Sequence, residues 1–365
     1  MTSEETRERL QAAVRGARVV SWRRRPTPAE TFARLGRACE ELGIEEWDQY
    51  AERGAVARLE AEVAGLLGTE TAVLFPSGTM AQQAMLRVWC DRAGSRRVAL
   101  PDLSHLVQHE SDGPRTLHGL DLEHLTTGPR AATADDLRAL PHPAGLGAVL
   151  LELPLRDAGC LLPTWEELGE LAATARGLGV RLHLDGARLG ESLPHLGRTM
   201  AEVAGLADSV YLSFYKGLGA LSGAAVGCPA DAAAELRRWR HRMGGTLYRL
   251  TPYAVGGLVG LREELPRLAS YVAWARELAA ACVERGLRVQ PDPPHTNTLH
   301  LLGEGEQEAA ARALTGVVER EGVLPCSPWA PADVPGWLRS EVAVHGEALD
   351  HDPAVVADWV VESLG

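Results

Sequence analysis

Val210-Tyr211-Leu212-Ser213-Phe214-Tyr215-Lys216-Gly217-Leu218-Gly219 holds the only lysine in a chain of 365 residues. Its first five residues read as a strand, and Gly217 and Gly219 make an abrupt turn after it. Lysine and arginine together number 37, so wherever else a positive charge was needed the chain uses arginine. Arginine stays protonated at any working pH, whereas a lysine amine becomes a nucleophile once desolvated or set beside other charges. Lys216 is therefore either kept for its amine or an ordinary surface lysine left behind by arginine-rich coding. The neighbouring strands have to decide between the two.

Around that strand the pattern alternates strand and helix, which argues for an α/β sheet of parallel strands. Strands are predicted over 71–75, 97–100, 148–153, 180–184 and 209–214, with helices over 80–92, 165–178 and 200–206 between them. A further strand over 224–227 and helices over 230–242, 253–261 and 266–285 follow. Upstream come a helix over 4–17, a basic loop over 21–28 and a helix from Pro28 to Leu42. A helix over 56–67 carries apolar residues at Val56, Leu59, Val63, Leu66 and Leu67, one amphipathic face. From about Val289 short strands (298–302, 341–344) alternate with helices (306–321, 353–364). The expected organisation is an N-terminal segment over 1–50, a large domain over 51–255, then linker helices and a small C-terminal α/β domain over 256–365.

The net charge of -12 disfavours nucleic acid or an anionic membrane as partner. Two basic clusters run against that balance, Arg23-Arg24-Arg25 and Arg237-Arg238-Trp239-Arg240-His241-Arg242, of which the second reads as solvated or subunit-facing surface. The six cysteines show no C-x-x-C spacing, which suggests reduced thiols and no metal site. Met1-Thr2-Ser3-Glu4-Glu5 lacks an apolar signal core, and no apolar run is long enough to span a bilayer. A cytoplasmic location is the expectation.

In open parallel sheets, ligands bind beyond the carboxyl ends of the strands. The first strand leads to Pro76-Ser77-Gly78-Thr79 at a helix start, either a phosphate cradle or an ordinary N-cap. The second leads to Ser104-His105 and, five residues on, Glu110. The third leads to Glu152, Arg156 and Asp157. The fourth is Leu182-His183-Leu184-Asp185-Gly186-Ala187-Arg188, an acid closing an apolar strand with an arginine three residues later. The fifth brings Lys216. Each feature alone has a structural explanation. Together they are what pyridoxal phosphate needs: an amine for a Schiff base, an acid for the pyridine nitrogen and a phosphate cradle.

The two motifs His183-Leu184-Asp185-Gly186-Ala187-Arg188 and Ser213-Phe214-Tyr215-Lys216-Gly217-Leu218-Gly219 resemble those of the threonine aldolase and aromatic amino acid β-eliminating lyase family, fold-type I pyridoxal-phosphate enzymes. The resemblance runs from about Asp48-Gln49-Tyr50 to Met243-Gly244-Gly245-Thr246-Leu247-Tyr248-Arg249, and more weakly to the end. It implies a large domain with a mainly parallel sheet and a smaller C-terminal α/β domain. It implies Lys216 as the Schiff-base lysine, Asp185 at the pyridine nitrogen and His105 stacked on the ring. Ser77, Gly78 and Thr79 would hold the phosphate, with Arg249 reaching it across a subunit interface. Arg188 would lie near the cofactor oxygen and the substrate carboxylate, with Arg156 and Tyr50 also on the substrate side. A homodimer or homotetramer with composite sites and a small amino acid substrate follow from the same resemblance.

Three departures concern the substrate pocket. Ser21-Trp22-Arg23-Arg24-Arg25 stands where the family has Arg-Ser-Asp-Thr, and Leu153-Pro154-Leu155-Arg156-Asp157 where it has Thr-His-Asn after the third strand. The C-terminal substrate-binding arginine has no counterpart in register, where Glu341 falls beside Arg339. The expected reaction is retro-aldol cleavage of a β-hydroxy-α-amino acid to glycine and an aldehyde, with the β-hydroxyl proton passing to His105, Asp157 or water. Alternatives are β-elimination or racemisation on the same frame, or a cofactor-binding homologue without turnover. A Rossmann-type dehydrogenase would need a glycine fingerprint that the first strand lacks.

Overall fold

The computed structural model describes residues 3–365. The chain forms two compact units, Pro26–Pro266 and a second made of the residues up to Arg25 with Arg267–Gly365. The breaks thus fall after Arg25 and Pro266, where the sequence suggested 50 and 255.

The larger unit opens with α1 (Pro28–Leu42). Its start follows from a capping box: Thr27 Oγ1 accepts from the Glu30 amide at 3.2 Å, and the Thr27 amide donates back to the Glu30 carboxylate at 2.7 Å. Gly43, at φ 63°, ends it in the left-handed conformation that glycine adopts without strain. Helix α2 (Gly54–Leu67) buries Val56, Leu59, Val63 and Leu67 and leaves Leu66 half-buried.

Seven strands then form one sheet: β1 (Thr71–Phe75), β2 (Arg97–Leu100), β3 (Asp121–His124), β4 (Ala148–Glu152), β5 (Arg181–Gly186), β6 (Ser209–Ser213) and β7 (Ala224–Cys228). Their spatial order is β1-β7-β6-β5-β4-β2-β3. Only β7 runs against its neighbours β1 and β6; the rest share one direction. Strand β3 was not expected. Its sequence Asp-Leu-Glu-His lacks the apolar run of a central strand, because at the sheet edge only Leu122 is buried.

Helices that bear on the site and its core include α3 (Gly78–Ala93), α4 (His105–Gln108), α5 (Trp165–Gly177), α6 (Leu189–Leu196), α7 (Ala230–Arg242) and α8 (Thr251–Glu263). Side chains alternate across each strand, and the face under α3 and α7 packs Phe75, Leu100, Leu150 and Val226 against Met85, Leu86, Trp89 and Leu236. Each such Leu or Phe stabilises the fold by roughly 1.5–3 kcal/mol through burial. The same alternation sets Glu152 beyond Leu150, and Asp185 beyond His183, on that face at the carboxyl ends.

In the second unit β8 (Arg288–Gln290), β9 (Thr298–Glu304), β10 (Ala330–Pro331) and β11 (Trp337–Ala343) form an antiparallel sheet in the order β10-β11-β9-β8. Helices α9 (Leu268–Glu284), α10 (Gln307–Glu321) and α11 (Pro353–Glu362) accompany it. Arg18–Val19 pairs in parallel with Val323–Leu324, and Arg9 grips Glu319 with two bonds of 2.5 and 2.6 Å. These contacts explain why the first residues group with the last hundred. Among the described residues no helix is long and apolar enough to cross a membrane.

Candidate active site

The carboxyl ends of β1, β2, β4, β5 and β6 meet around a narrow cleft open to solvent. Gly78, Thr79, His105, Arg156, Asp185, Arg188 and Lys216 all line it. Seven positions singled out from five separate strand ends therefore come together.

Lys216 follows β6 in the turn. Burial lowers its amine's pKa below the usual lysine value, and the nearby Arg188 cation pushes the same way against Asp185 and Glu152. A Cβ at Gly217 would overlap the Glu191 carboxylate of α6, which would then have to move aside.

Asp185 is buried and paired in register with Glu152 on β4. Burial raises the carboxyl pKa of both, and that of Glu152 reaches about 7, because it lies beside Asp185 as well. The Lys216 ammonium is the main influence keeping Asp185 ionised. Asp185 accepts from the Ala187 amide at 3.0 Å and from the side-chain amide of Gln82. Glu152 accepts from the backbone amides of His105 at 2.8 Å and Arg156 at 3.1 Å, so one carboxylate fixes both the histidine and the arginine loop.

His105 begins α4, and its Nδ1 lies 3.2 Å from Oε1 of the buried Glu110. Arg156 Nη1 donates to Asp157 at 3.1 Å, and the other Asp157 oxygen meets His109 Nε2 at 2.7 Å. At the carboxyl end of β1, Ser77 caps α3 by accepting from the Met80 amide at 3.3 Å. The first N–H groups of a helix have no partner within it, so the Gly78 and Thr79 amides suit an anion. Gly78 is required there, since a Cβ would overlap the Tyr211 phenol.

Tyr50 and Arg249 are not brought into this cleft. The Tyr50 ring packs edge-on to Tyr248 at 5.3 Å between centroids. The Arg249 guanidinium lies 4.1 Å from the Tyr248 ring centre and donates to the Asp48 carbonyl. Conversely, Gln82, Tyr211 and Tyr215 line the cleft without having been singled out. Gln82 sits one helical turn past Gly78, on the side of α3 that borders the cleft.

The sequence profile of the beta-eliminating lyases matches residues 35–302. The chain belongs to the beta-eliminating lyase family. Among its curated relatives, low-specificity L-threonine aldolase 1 of Arabidopsis thaliana is 31% identical over 73% of this chain and 77% of that protein. Two solved structures superpose over nearly the whole lyase chain. A protein of Listeria monocytogenes EGD-E provisionally named an L-allo-threonine aldolase has a TM-score of 0.90 and 33% identity, covering 98% of this chain and 99% of its own. A protein of Exiguobacterium sp. 255-15, provisionally named an aromatic amino acid beta-eliminating lyase/threonine aldolase, has a TM-score of 0.88 and 33% identity, covering 97% and 99%. The architecture of this lyase is that of fold-type I pyridoxal-phosphate enzymes, an α/β large unit with a mainly parallel sheet.

Proposed function

We propose that this protein is a pyridoxal-phosphate-dependent lyase that cleaves a β-hydroxy-α-amino acid of the threonine type into glycine and an aldehyde. The observation carrying the reading is that the chain's only lysine shares one cleft with a buried aspartate and a helix N-terminus.

The residues present fit the cofactor. The Lys216 amine is half-buried with a lowered pKa, Asp185 offers an acceptor for a protonated ring nitrogen, and the first amides of α3 at Gly78 and Thr79 suit a phosphate. Ser77, Gly78 and Thr79 would hold the phosphate and His105 would cover the ring face. When bound, pyridoxal phosphate supplies an electron sink for the pair left on Cα as the Cα–Cβ bond breaks.

The chain's own residues then have defined tasks. Arg188, with Arg156 held by Asp157, gives the substrate carboxylate two guanidinium donors. These would hold Cα and so select which of its bonds breaks, an orientation effect more than an acid–base one. His105, held at Nδ1 by Glu110, takes the β-hydroxyl proton at Nε2. Asp157 is a poorer base for that proton, because both its oxygens are already engaged by cations or imidazole.

Trp47, Tyr50 and Tyr248 are more than half exposed around Arg249, an aromatic patch of the kind that marks an interaction surface. We infer a homodimer or homotetramer in which this patch meets a second copy and Arg249 completes the partner's phosphate site.

A second reading is favoured by one observation. Arg156, lining the cleft after β4, is a guanidinium and cannot accept a proton. In that reading the protein β-eliminates, and Lys216 Nζ takes the α-proton. Borohydride reduction of the cofactor-treated protein tests what both readings share: peptide mapping is expected to find the cofactor on Lys216. No adduct there would end every catalytic version.

A further inference from the structure

Behind Asp185 runs a line of buried polar side chains that the chemistry above does not use. Trp89 Nε1 donates to Ser209 Oγ at 2.8 Å, and Ser209 Oγ meets His183 Nδ1 at 2.8 Å. His183 Nε2 meets Gln82 Oε1 at 3.0 Å, and the Gln82 amide nitrogen donates to Asp185 Oδ2. All five residues are 3% exposed or less. Their spacing builds the line. His183 and Asp185 are two apart on β5, on one face, and Ser209 is the register partner of His183 on β6. Gln82 and Trp89 are seven apart on α3, two turns along the side that covers them.

With Asp185 ionised, the direction of every bond follows from the two ends. An indole N–H can only donate, and an ionised carboxylate can only accept. With its NH2 toward Asp185, Gln82 must accept from a protonated His183 Nε2. His183 Nδ1 must then accept from the Ser209 hydroxyl, whose oxygen takes the Trp89 N–H. Were Asp185 protonated and donating, the amide would have to flip and the imidazole to change tautomer. Ser209 would then receive two donors and lose its acceptor.

We propose that Trp89, Ser209, His183 and Gln82 are positioning residues, a one-way line of donors that holds Asp185 as an oriented carboxylate toward the ring nitrogen of the bound cofactor. This rests on the cofactor reading above. The charges acting on Asp185 are Lys216, His105 and the neighbouring Glu152. Burial works against ionisation, and the donor line opposes that effect through the Gln82 amide. A neutral His183 is part of the arrangement, and burial lowers its pKa to about 3.

The test compares pyridoxal phosphate with its 1-deaza analogue, which has a C–H in place of the ring nitrogen. Affinities for both are measured by fluorescence titration in the full chain, in Gln82→Met and in Ser209→Ala. Gln82→Met is expected to weaken pyridoxal phosphate about tenfold and the analogue hardly at all; Ser209→Ala acts the same way but less. Equal losses for both compounds, or none, would overturn the proposal, and Ser209→Ala decides should Gln82→Met fail to fold. In cofactor-free protein, histidine 15N shifts are expected to show His183 as the Nε2–H tautomer. The Nδ1–H tautomer would refute the donor line, whereas failure of the unaltered protein to bind pyridoxal phosphate would count against the cofactor reading alone.

Discussion

Lys216 is the residue on which the chemistry turns, and Lys216→Arg separates charge from nucleophilicity. The substitution keeps a cation in the cleft but removes an amine that can lose its proton. Turnover is expected to vanish while the circular dichroism and melting temperature stay close to those of the parent; substantial residual activity would refute the assignment. His183 gives a second expectation, in stability. Its neutral form is favoured in the fold, where its pKa is about 3 against 6.5 unfolded. Between those values the unfolded chain binds more protons, so stability is lost as pH falls below about 6.5. Relative to His183→Gln, which does not titrate, the parent is expected to lose about 2 kcal/mol between pH 6.5 and 5 by urea denaturation. A constant difference would mean that His183 titrates normally. At this scale much of the site could be read in advance, because the strand ends of a parallel sheet deliver their polar residues to one place. Gln82 and His183 could not. A glutamine inside an apolar helix and a histidine inside an apolar strand gain meaning only when the β5–β6 register and the overlying helix bring them together.

Helix α3 joins the fold to the site, since its first turn borders the cleft and its body packs the core. Ser77→Ala removes the side-chain cap and is expected to cost about 1 kcal/mol of stability. Gly78→Ala is expected to cost more and to weaken cofactor binding as well, because the new methyl group must displace the buried Tyr211 ring. Calorimetry and cofactor titration on the two variants check the order; equal effects would mean that the Gly78 backbone does not border the phosphate. The regular elements were visible from apolar periodicity and capping residues, as in α1 and α7, which begin and end where the sequence put them. What escaped was the charged edge strand β3, whose pairing with β2 is tertiary and leaves little apolar signal. The reversed direction of β7 also left no local trace.

For the whole molecule, the division into units depends on contacts more than 300 positions apart, such as Arg18 with Val323, which no local pattern records. Arg249 raises a related point, because it stands outside its own chain's cleft beside exposed aromatic residues. If it serves a second copy, Arg249→Gln and Lys216→Arg are each inactive alone. Mixed and reassembled, they are expected to recover about a quarter of the parent activity, since half of the dimers would hold one intact site. No recovery in verified mixed dimers would place Arg249 outside the catalytic assembly. Above both tests stands the reaction itself. The cofactor-loaded protein would be offered threonine, allo-threonine, phenylserine, serine and cysteine in both enantiomeric series, and the products identified. Aldehyde with stoichiometric glycine is the expected result; ammonia with an oxo acid would contradict retro-aldol cleavage and make Lys216 the acceptor of the α-proton.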